Sequence, residues 1–299
     1  MIVLNWHASA DTIRCLQQVA GWQCLQPTVW VVDNGSPDDS VDTISQECPY
    51  ARIIRSSSNL GFGGGNNKGI TEALARSAVP ILLLNNDASI AEEDVLRLLK
   101  TLGSDPKIGF VGPLLFDTDE KEHLLAAGGR NPVQHHHSHI LEVPSGRLVR
   151  QVGYVPGTVL LVRAEVFRTV GLFDERYFFT MEVADLCMRA REQGYLSVID
   201  ARARALHDLS RSSDLRETLH AYYIIRNRFL FINKFHANRR ACLCCFWAVY
   251  SVALMLKVWS TGRPMAARAI WAGLLDGMRG RFGGQNKRVL VLQRQNPRS

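Results

Sequence analysis

Short apolar runs alternate with amphipathic stretches over the first two thirds of the chain, and each run stops in a polar turn. Met1 to Leu4, Thr28 to Val32, Ala51 to Arg55 and Ile81 to Leu84 read as strands, the last continuously apolar after Pro80. Runs this short, bounded by turn residues, fit strands buried on both faces of a parallel sheet. Helical spacing lies between them. Asp11 to Trp22 predicts a helix with Asp11 as N-cap, and Ala91 to Leu102 one with acidic residues in its first turn. Phe110 to Phe116 and Val155 to Val162 are further strands, followed by a short helix, Ala164 to Val170, stopped by Gly171. A helix starting near Glu182 and ending at Gly194-Tyr195, then a strand from Ser197 to Asp200, completes the pattern. Glu120 to Gly153 is polar and irregular. This order predicts an α/β fold with a mainly parallel central sheet over residues 1–209.

The chemistry gathers where strands end. Open α/β sheets bind ligands beyond the carboxyl ends of their strands, where this chain carries Asn5, Asp33-Asn34-Gly35-Ser36 and Asn85-Asn86-Asp87. A carboxylate flanked by amides, as at Asp87, suits a hard divalent cation that also touches phosphate oxygens. An acidic residue at the end of a second strand, as Asp33 is, can accept hydrogen bonds from a ribose or base. Read as composition alone, both segments are also ordinary Asn/Asp turns. Asn59-Leu60-Gly61-Phe62-Gly63-Gly64-Gly65-Asn66-Asn67-Lys68-Gly69 reads as a glycine-rich loop leading into a helix through Ile70 to Ser77. Such a loop lets backbone approach a phosphate at a helix N-terminus. Its spacing is neither the Walker pattern nor GxGxxG, which disfavours P-loop NTPases and dinucleotide enzymes. Glu182 and Asp185 lie three apart at a helix start after Tyr177-Phe178-Phe179. They suit a general base, or equally charges favoured by the helix dipole. His135-His136-His137-Ser138-His139 holds adjacent side chains that point apart, with no carboxylate at ligand spacing, so an exposed loop is expected there.

With 299 residues and 46% hydrophobic content, the chain can bury one large domain or a domain plus an appendage. Its net charge of +7 is unevenly spread: residues 210–299 carry 16 Lys+Arg against 3 Asp+Glu, and the first 209 carry 19 against 25. A basic appendage on an acidic body points to an anionic partner. Ala241 to Leu256 holds no charge between Arg239-Arg240 and Lys257. It is shorter than the roughly 20 residues a membrane span takes, so an interfacial or re-entrant helix is expected, with a buried core helix as the close alternative. Arg263 to Arg281 adds a second basic, apolar helix suited to anionic lipid. No nucleic-acid motif accompanies the charge. The seven cysteines show neither secreted-framework nor zinc spacing and read as reduced thiols of a cytosolic protein. Met1 leads straight into an apolar run with no basic region before it, against a signal peptide.

Taken in order, Asn5-Trp6, Val32 to Ser36, Asn59 to Gly63 with Asn66-Asn67, Asn85-Asn86-Asp87, Phe173-Asp174-Glu175, Glu182 to Arg189 and His207 resemble family 2 of the glycosyltransferases, in its rhamnosyltransferase-like branch. The resemblance spans about 200 residues, and Tyr222 to Arg228 resembles the segment that follows the family's catalytic domain. It implies a GT-A-type nucleotide-sugar-binding fold over 1–209, plus a C-terminal helical extension over 210–299. The implied activity is inverting sugar transfer from a nucleotide donor to a lipid-linked or polysaccharide acceptor. In that frame Asn5, Asp33, Asn34, Gly61, Gly63, Asn66, Lys68 and Asn86 are expected to bind the donor, with Asp33 at the base or ribose. Asp87 looks like the metal-binding end of the DxD motif, with Asn85 in place of its first Asp. His207 matches the family's metal-side histidine, so Mg²⁺ or Mn²⁺ is expected between Asp87, His207 and the donor diphosphate. The E-D-x-D segment reads Glu182-Val183-Ala184-Asp185, and the commonly cited base falls on Val183. Glu182 is therefore the expected base, with Asp185 behind it. The expected location is the inner face of the cell membrane, peripheral and cytoplasmic. Two rivals stand beside this reading. A nucleotidyltransferase needs a basic glycine-rich loop near the N-terminus, which Met1 to Asp11 lacks, and a non-catalytic sugar-nucleotide binder is favoured by Asn85 and Val183.

Overall fold

The computed structural model of the chain describes residues 1–77, 79–120, 123–136, 138–144, 146, 148–209 and 214–294. It divides into two compact units, Met1–Phe173 with Val183–Leu209, and Asp174–Glu182 with the chain beyond Leu209.

The first unit alternates strand and helix: β1 Ile2–Asn5, α1 Ser9–Ala20, β2 Trp30–Asp33, α2 Ser40–Glu47, β3 Arg52–Arg55, α3 Gly61–Arg76 and β4 Ile81–Asn85. It continues with β5 Ala88–Ile90, α4 Glu92–Ser104, β6 Ile108–Asp117, β7 Leu124–Ala126, β8 Val149–Val152, β9 Val159–Val162, α5 Ala164–Val170, α6 Glu182–Glu192 and β10 Leu196–His207. The strands form one sheet in the order β3-β2-β1-β4-β9-β6-β10-β5, with β7 beside β6 and β8 beside β10. β1 runs parallel to both β2 and β4, and β2 runs parallel to β3. β9 lies antiparallel between β4 and β6, and β10 is parallel to β6. Two reversals restore direction, so β10 ends on the same edge as β1, β2 and β4. Leu16, Val31, Leu84, Leu98, Val111 and Leu161 belong to the core that the sheet shares with its helices.

Several local expectations change. α1 opens at Ser9, so Asp11 sits inside its first turn rather than capping it. The glycine-rich run is not a loop: it is helical from Gly61, and its glycines serve packing. A Cβ on Gly65 would stand 2.5 Å from Leu4 Cδ1, and one on Gly69 2.7 Å from Ile2 Cγ2. Bare backbone thus lets α3 lie directly on β1. The last strand does not stop at Asp200 but runs on to His207, through a register shift between Ile199 and Arg204. The irregular segment from Glu120 to Gly153 contains β7 and β8.

The second unit holds four α-helices among the described residues, α7 Asp214–Phe235, α8 Arg240–Ser260, α9 Pro264–Met278 and α10 Asn286–Arg294, with a 3-10 turn Ala237–Arg239 leading into α8. α9 approaches α7 through glycines, since a Cβ on Gly273 would meet the Tyr222 carbonyl at 2.5 Å and one on Gly277 would meet Phe229 Cδ2 at 2.6 Å. Phe178, Tyr222, Tyr223, Ala269, Ala272 and Val289 form this unit's core. The uncharged segment from Ala241 is part of a longer helical stretch, and Ala237–Ser260 is long and apolar enough, by length and composition, to cross a membrane. Trp247 and Ser251 are its buried residues, while Phe246, Val249, Leu256 and Trp259 are exposed.

Candidate active site

Register alone brings the predicted polar ends together. Asn5 pairs with Asp33 across β1 and β2, Leu4 pairs with Asn85 across β1 and β4, and His207 pairs with Ala88 across β10 and β5. Side chains then link them. Asn5 donates from Nδ2 to Asp33 Oδ1 at 2.9 Å and accepts at Oδ1 from Thr12 Oγ1 at 2.8 Å. Asn86 Nδ2 donates to Thr12 Oγ1 at 3.0 Å. One network therefore runs from the end of β2, across β1 and α1, to the turn after β4. Asp33 is 3% exposed, and its Oδ2 accepts the Ser36 backbone N–H at 3.1 Å. Each of its oxygens keeps a further acceptor position for a ligand.

Asn34 closes the other side of this edge. Its Oδ1 accepts from the Leu60 N–H at 2.9 Å, and its Nδ2 donates to the Gly61 carbonyl at 3.1 Å and to Asn59 Oδ1 at 3.2 Å. The turn at Gly35 takes φ +75°, where an added Cβ would lie 2.5 Å from the Ser58 backbone, so glycine is required there.

Asp87 follows Asn86 in the β4–β5 turn. His207 Nε2 lies 3.3 Å from Asp87 Oδ1, and both side chains are nearly buried. The backbone holds them together, since the Asp208 N–H donates to the Asp87 carbonyl at 2.9 Å. Burial pushes the nearby Cys15 thiol up to about 12, with the Asp87 charge adding to it. A carboxylate oxygen and an imidazole nitrogen side by side fit two positions on a divalent cation. No cluster of three or more His, Cys, Asp or Glu side chains placed to hold a metal occurs among the described residues. A cation here would need its remaining ligands from water, backbone carbonyls or a substrate.

Gly61 opens α3 beside Asn34, with Gly63 a half-turn further on. Asn66 is turned back onto its own helix, donating to the Phe62 carbonyl at 2.9 Å. Lys68 is exposed, about 10 Å along the α3 axis from Gly61 at 1.5 Å per residue. Glu182 is the first residue of α6 and is 5% exposed. Asp185 is fully buried and accepts from Arg189 Nε at 2.8 Å, while Arg189 also donates to the Val170 and Leu172 carbonyls. In the histidine-rich segment His135 and His136 are exposed, and His137 lies outside the described residues. Thr12, the middle link of the network, carries no signal beyond its place one turn into a helix that follows a strand end.

Within the second unit, the segment leading to Glu182 has an unusual backbone. Phe178, Thr180 and Met181 take φ of 63°, 69° and 69°, where non-glycine residues are strained. Two adjacent buried side chains of α7 hold it. Arg226 donates from Nη2 to the Tyr177 carbonyl at 2.8 Å, and Asn227 Nδ2 reaches the carbonyls of Tyr177, Phe179 and Thr180 at 3.1, 2.8 and 2.9 Å.

The strand order, with polar strand ends gathered on one edge of the sheet, is that of a GT-A-type fold. Residues 2–168 match the family model described as glycosyl transferase family 2, and the chain belongs to that family. It is 29% identical over 236 residues to N-acetylglucosaminyl-diphospho-decaprenol L-rhamnosyltransferase of Mycobacterium tuberculosis, covering 71% of this chain and 76% of that one. Among solved structures, the mannosyltransferase PcManGT from Pyrobaculum calidifontis, in complex with GDP-Man and Mn²⁺, is similar in fold. Its TM-score is 0.55 at 13% identity, over 98% of this chain and 78% of that one. GalNAc-T7 with UDP, GalNAc and Mn²⁺ gives a TM-score of 0.56 at 13% identity, over 75% of this chain, which spans under half of it at 46%.

Proposed function

We propose that this glycosyltransferase is inverting and metal-dependent, and that it moves a sugar, rhamnose foremost, from a nucleoside diphosphate to a lipid-linked or polysaccharide acceptor. The observation that carries the reading is the single network joining Asp33, Asn5, Thr12 and Asn86 next to the Asp87–His207 pair. Asp33 and Asn34 hold the base and ribose, with Gly61 and Gly63 lining the diphosphate side. Asn66 and Lys68 belong to the wider donor site. Asp87 and His207 would hold Mg²⁺ or Mn²⁺, which neutralises the charge that builds on the leaving diphosphate. The named rhamnosyltransferase relative, with its diphospho-decaprenol acceptor, supports both the transferred sugar and the lipid-linked acceptor.

In the step itself the acceptor hydroxyl oxygen attacks the anomeric carbon from the face opposite the diphosphate. The new glycosidic bond forms as the bond to the diphosphate oxygen breaks, and the hydroxyl proton passes to Glu182. Asp185 is the weaker candidate because it is fully buried and one of its oxygens is already taken by the Arg189 guanidinium at 2.8 Å. The catalytic domain is taken as residues 1–209 and the appendage as 210–299. The appendage brings the enzyme to the cytoplasmic membrane face through its basic, exposed apolar helices.

Glu182→Gln tests the base. Turnover should fall by about 10²-fold or more with donor affinity unchanged. Near-normal turnover rejects Glu182.

A further inference from the structure

We infer that the groove between α8, α9 and α10 seats the apolar chain of a long-chain lipid phosphate, the carrier portion of the acceptor. The inference rests on the reading of the acceptor as lipid-linked. The groove holds about 640 Å³, within the range of small-molecule sites, and lies wholly inside the second unit. Met255, Trp259, Trp271, Leu275 and Val291 line it. Of these, Trp259, Trp271 and Val291 are 54%, 43% and 51% exposed, a concentration of large apolar surface that marks a binding face. Tryptophan favours the boundary between lipid and water, which suits a groove that starts on α8, the long apolar helix.

Charge selects an anionic lipid over a neutral one or a peptide helix. Arg268 and Arg288 stand among the lining residues. From Thr218 to the end, the sequence has 14 Lys+Arg and a single side-chain carboxylate, Asp276. That carboxylate is fully buried, accepts from the Tyr222 hydroxyl at 2.8 Å, and faces Arg288 Nε at 3.1 Å and Arg281 Nη1 at 3.7 Å. An anion in the groove therefore meets Arg268, and Arg288 beside its partner Asp276, while the described lining residues include no carboxylate. An apolar slot with cations at its edge matches one long chain with a phosphate at one end.

The test is titration of the full chain with farnesyl diphosphate, read by tryptophan fluorescence, with farnesol and inorganic pyrophosphate as separate arms. Farnesyl diphosphate should bind at least tenfold more tightly than either arm. Trp271→Glu should weaken it at least tenfold while leaving stabilisation by nucleotide sugar and Mn²⁺ unchanged. Arg268→Glu serves the same purpose should Trp271→Glu fail to fold. Pyrophosphate binding as tightly as farnesyl diphosphate, or affinity unchanged in the folded variant, overturns the groove. Transfer assays keep the two readings apart. Equal use of a lipid-linked acceptor by parent and Trp271→Glu would remove the groove alone. Farnesyl diphosphate binding lost in Trp271→Glu, with transfer only to unlipidated glycan, would remove the acceptor reading alone.

Discussion

Replacing Asn227 by alanine probes how the chain aims its proposed base. The Asn227 side chain is fully buried; its amide nitrogen serves the carbonyls of Tyr177, Phe179 and Thr180, and its Oδ1 accepts from Arg226 Nε and Nη2 at 3.0 and 2.8 Å. In Asn227→Ala the Tyr177 carbonyl keeps Arg226, but Phe179 and Thr180 lose this donor and Arg226 loses an acceptor. At about 1 kcal/mol for each part-buried carbonyl, and a similar amount for the guanidinium, the loss is about 3 kcal/mol. At about 2.1 cal/mol/K per residue, a chain of 299 residues then melts roughly 5 °C lower. The strained backbone at Phe178, Thr180 and Met181 relaxes once its clamp is gone, and Met181 directly precedes Glu182. Misplacement of about 1 Å costs as much as 10²-fold in rate. Below the new melting point, kcat should therefore drop at least tenfold while the nucleotide Kd holds. Asn227→Asp should do no better, because it points oxygens at carbonyls. A midpoint within about 2 °C of the parent together with an unchanged kcat would refute the reasoning.

The packing of α3 on β1 predicts a contrast between two glycines. Gly65→Ala drives a methyl into Leu4 Cδ1 and to 3.2 Å from Asn34 Nδ2, so it should cost about 1–3 kcal/mol and weaken nucleoside diphosphate binding. Gly103→Ala, with nothing within 4 Å, should raise the melting point slightly and leave binding alone. Asp174 gives a pH signature. Burial raises its carboxyl, yet Arg176 and Lys234 overcome this and hold it well below the usual carboxylate range. Its stabilising contribution is complete above the unfolded value of about 3.9 and disappears as pH falls through the folded one. Asp174→Asn should thus be less stable at pH 7 and lose less stability than the parent between pH 6 and 3, as urea midpoints will report.

Much of the site was legible because strand ends announce themselves. Ile81 to Leu84 stops at Asn85-Asn86-Asp87, and parallel pairing with β1 places that stop beside Asn5 and Asp33. The glycine-rich run misled because glycine has two uses, freeing a loop and thinning a helix. Only the nearness of Leu4 and Ile2 decides for the second. His207 carried no periodic signal, since β10 passes through a register shift before delivering it to Asp87. Thr12 and Asn227 were illegible for a common reason: each bridges segments distant in sequence, and local pattern holds no trace of such a partner. The length of α8 was underestimated because its flanking arginines and lysine continue the helix rather than ending it.

The most direct test is calorimetric titration of a nucleoside diphosphate into the protein with and without Mn²⁺, for the parent, Asp87→Asn and His207→Ala. The parent should bind at least tenfold more tightly with Mn²⁺, and both variants should lose that gain while keeping their melting points. Binding that ignores Mn²⁺ in the parent, or a gain that survives in both variants, would contradict a cation held between Asp87 and His207.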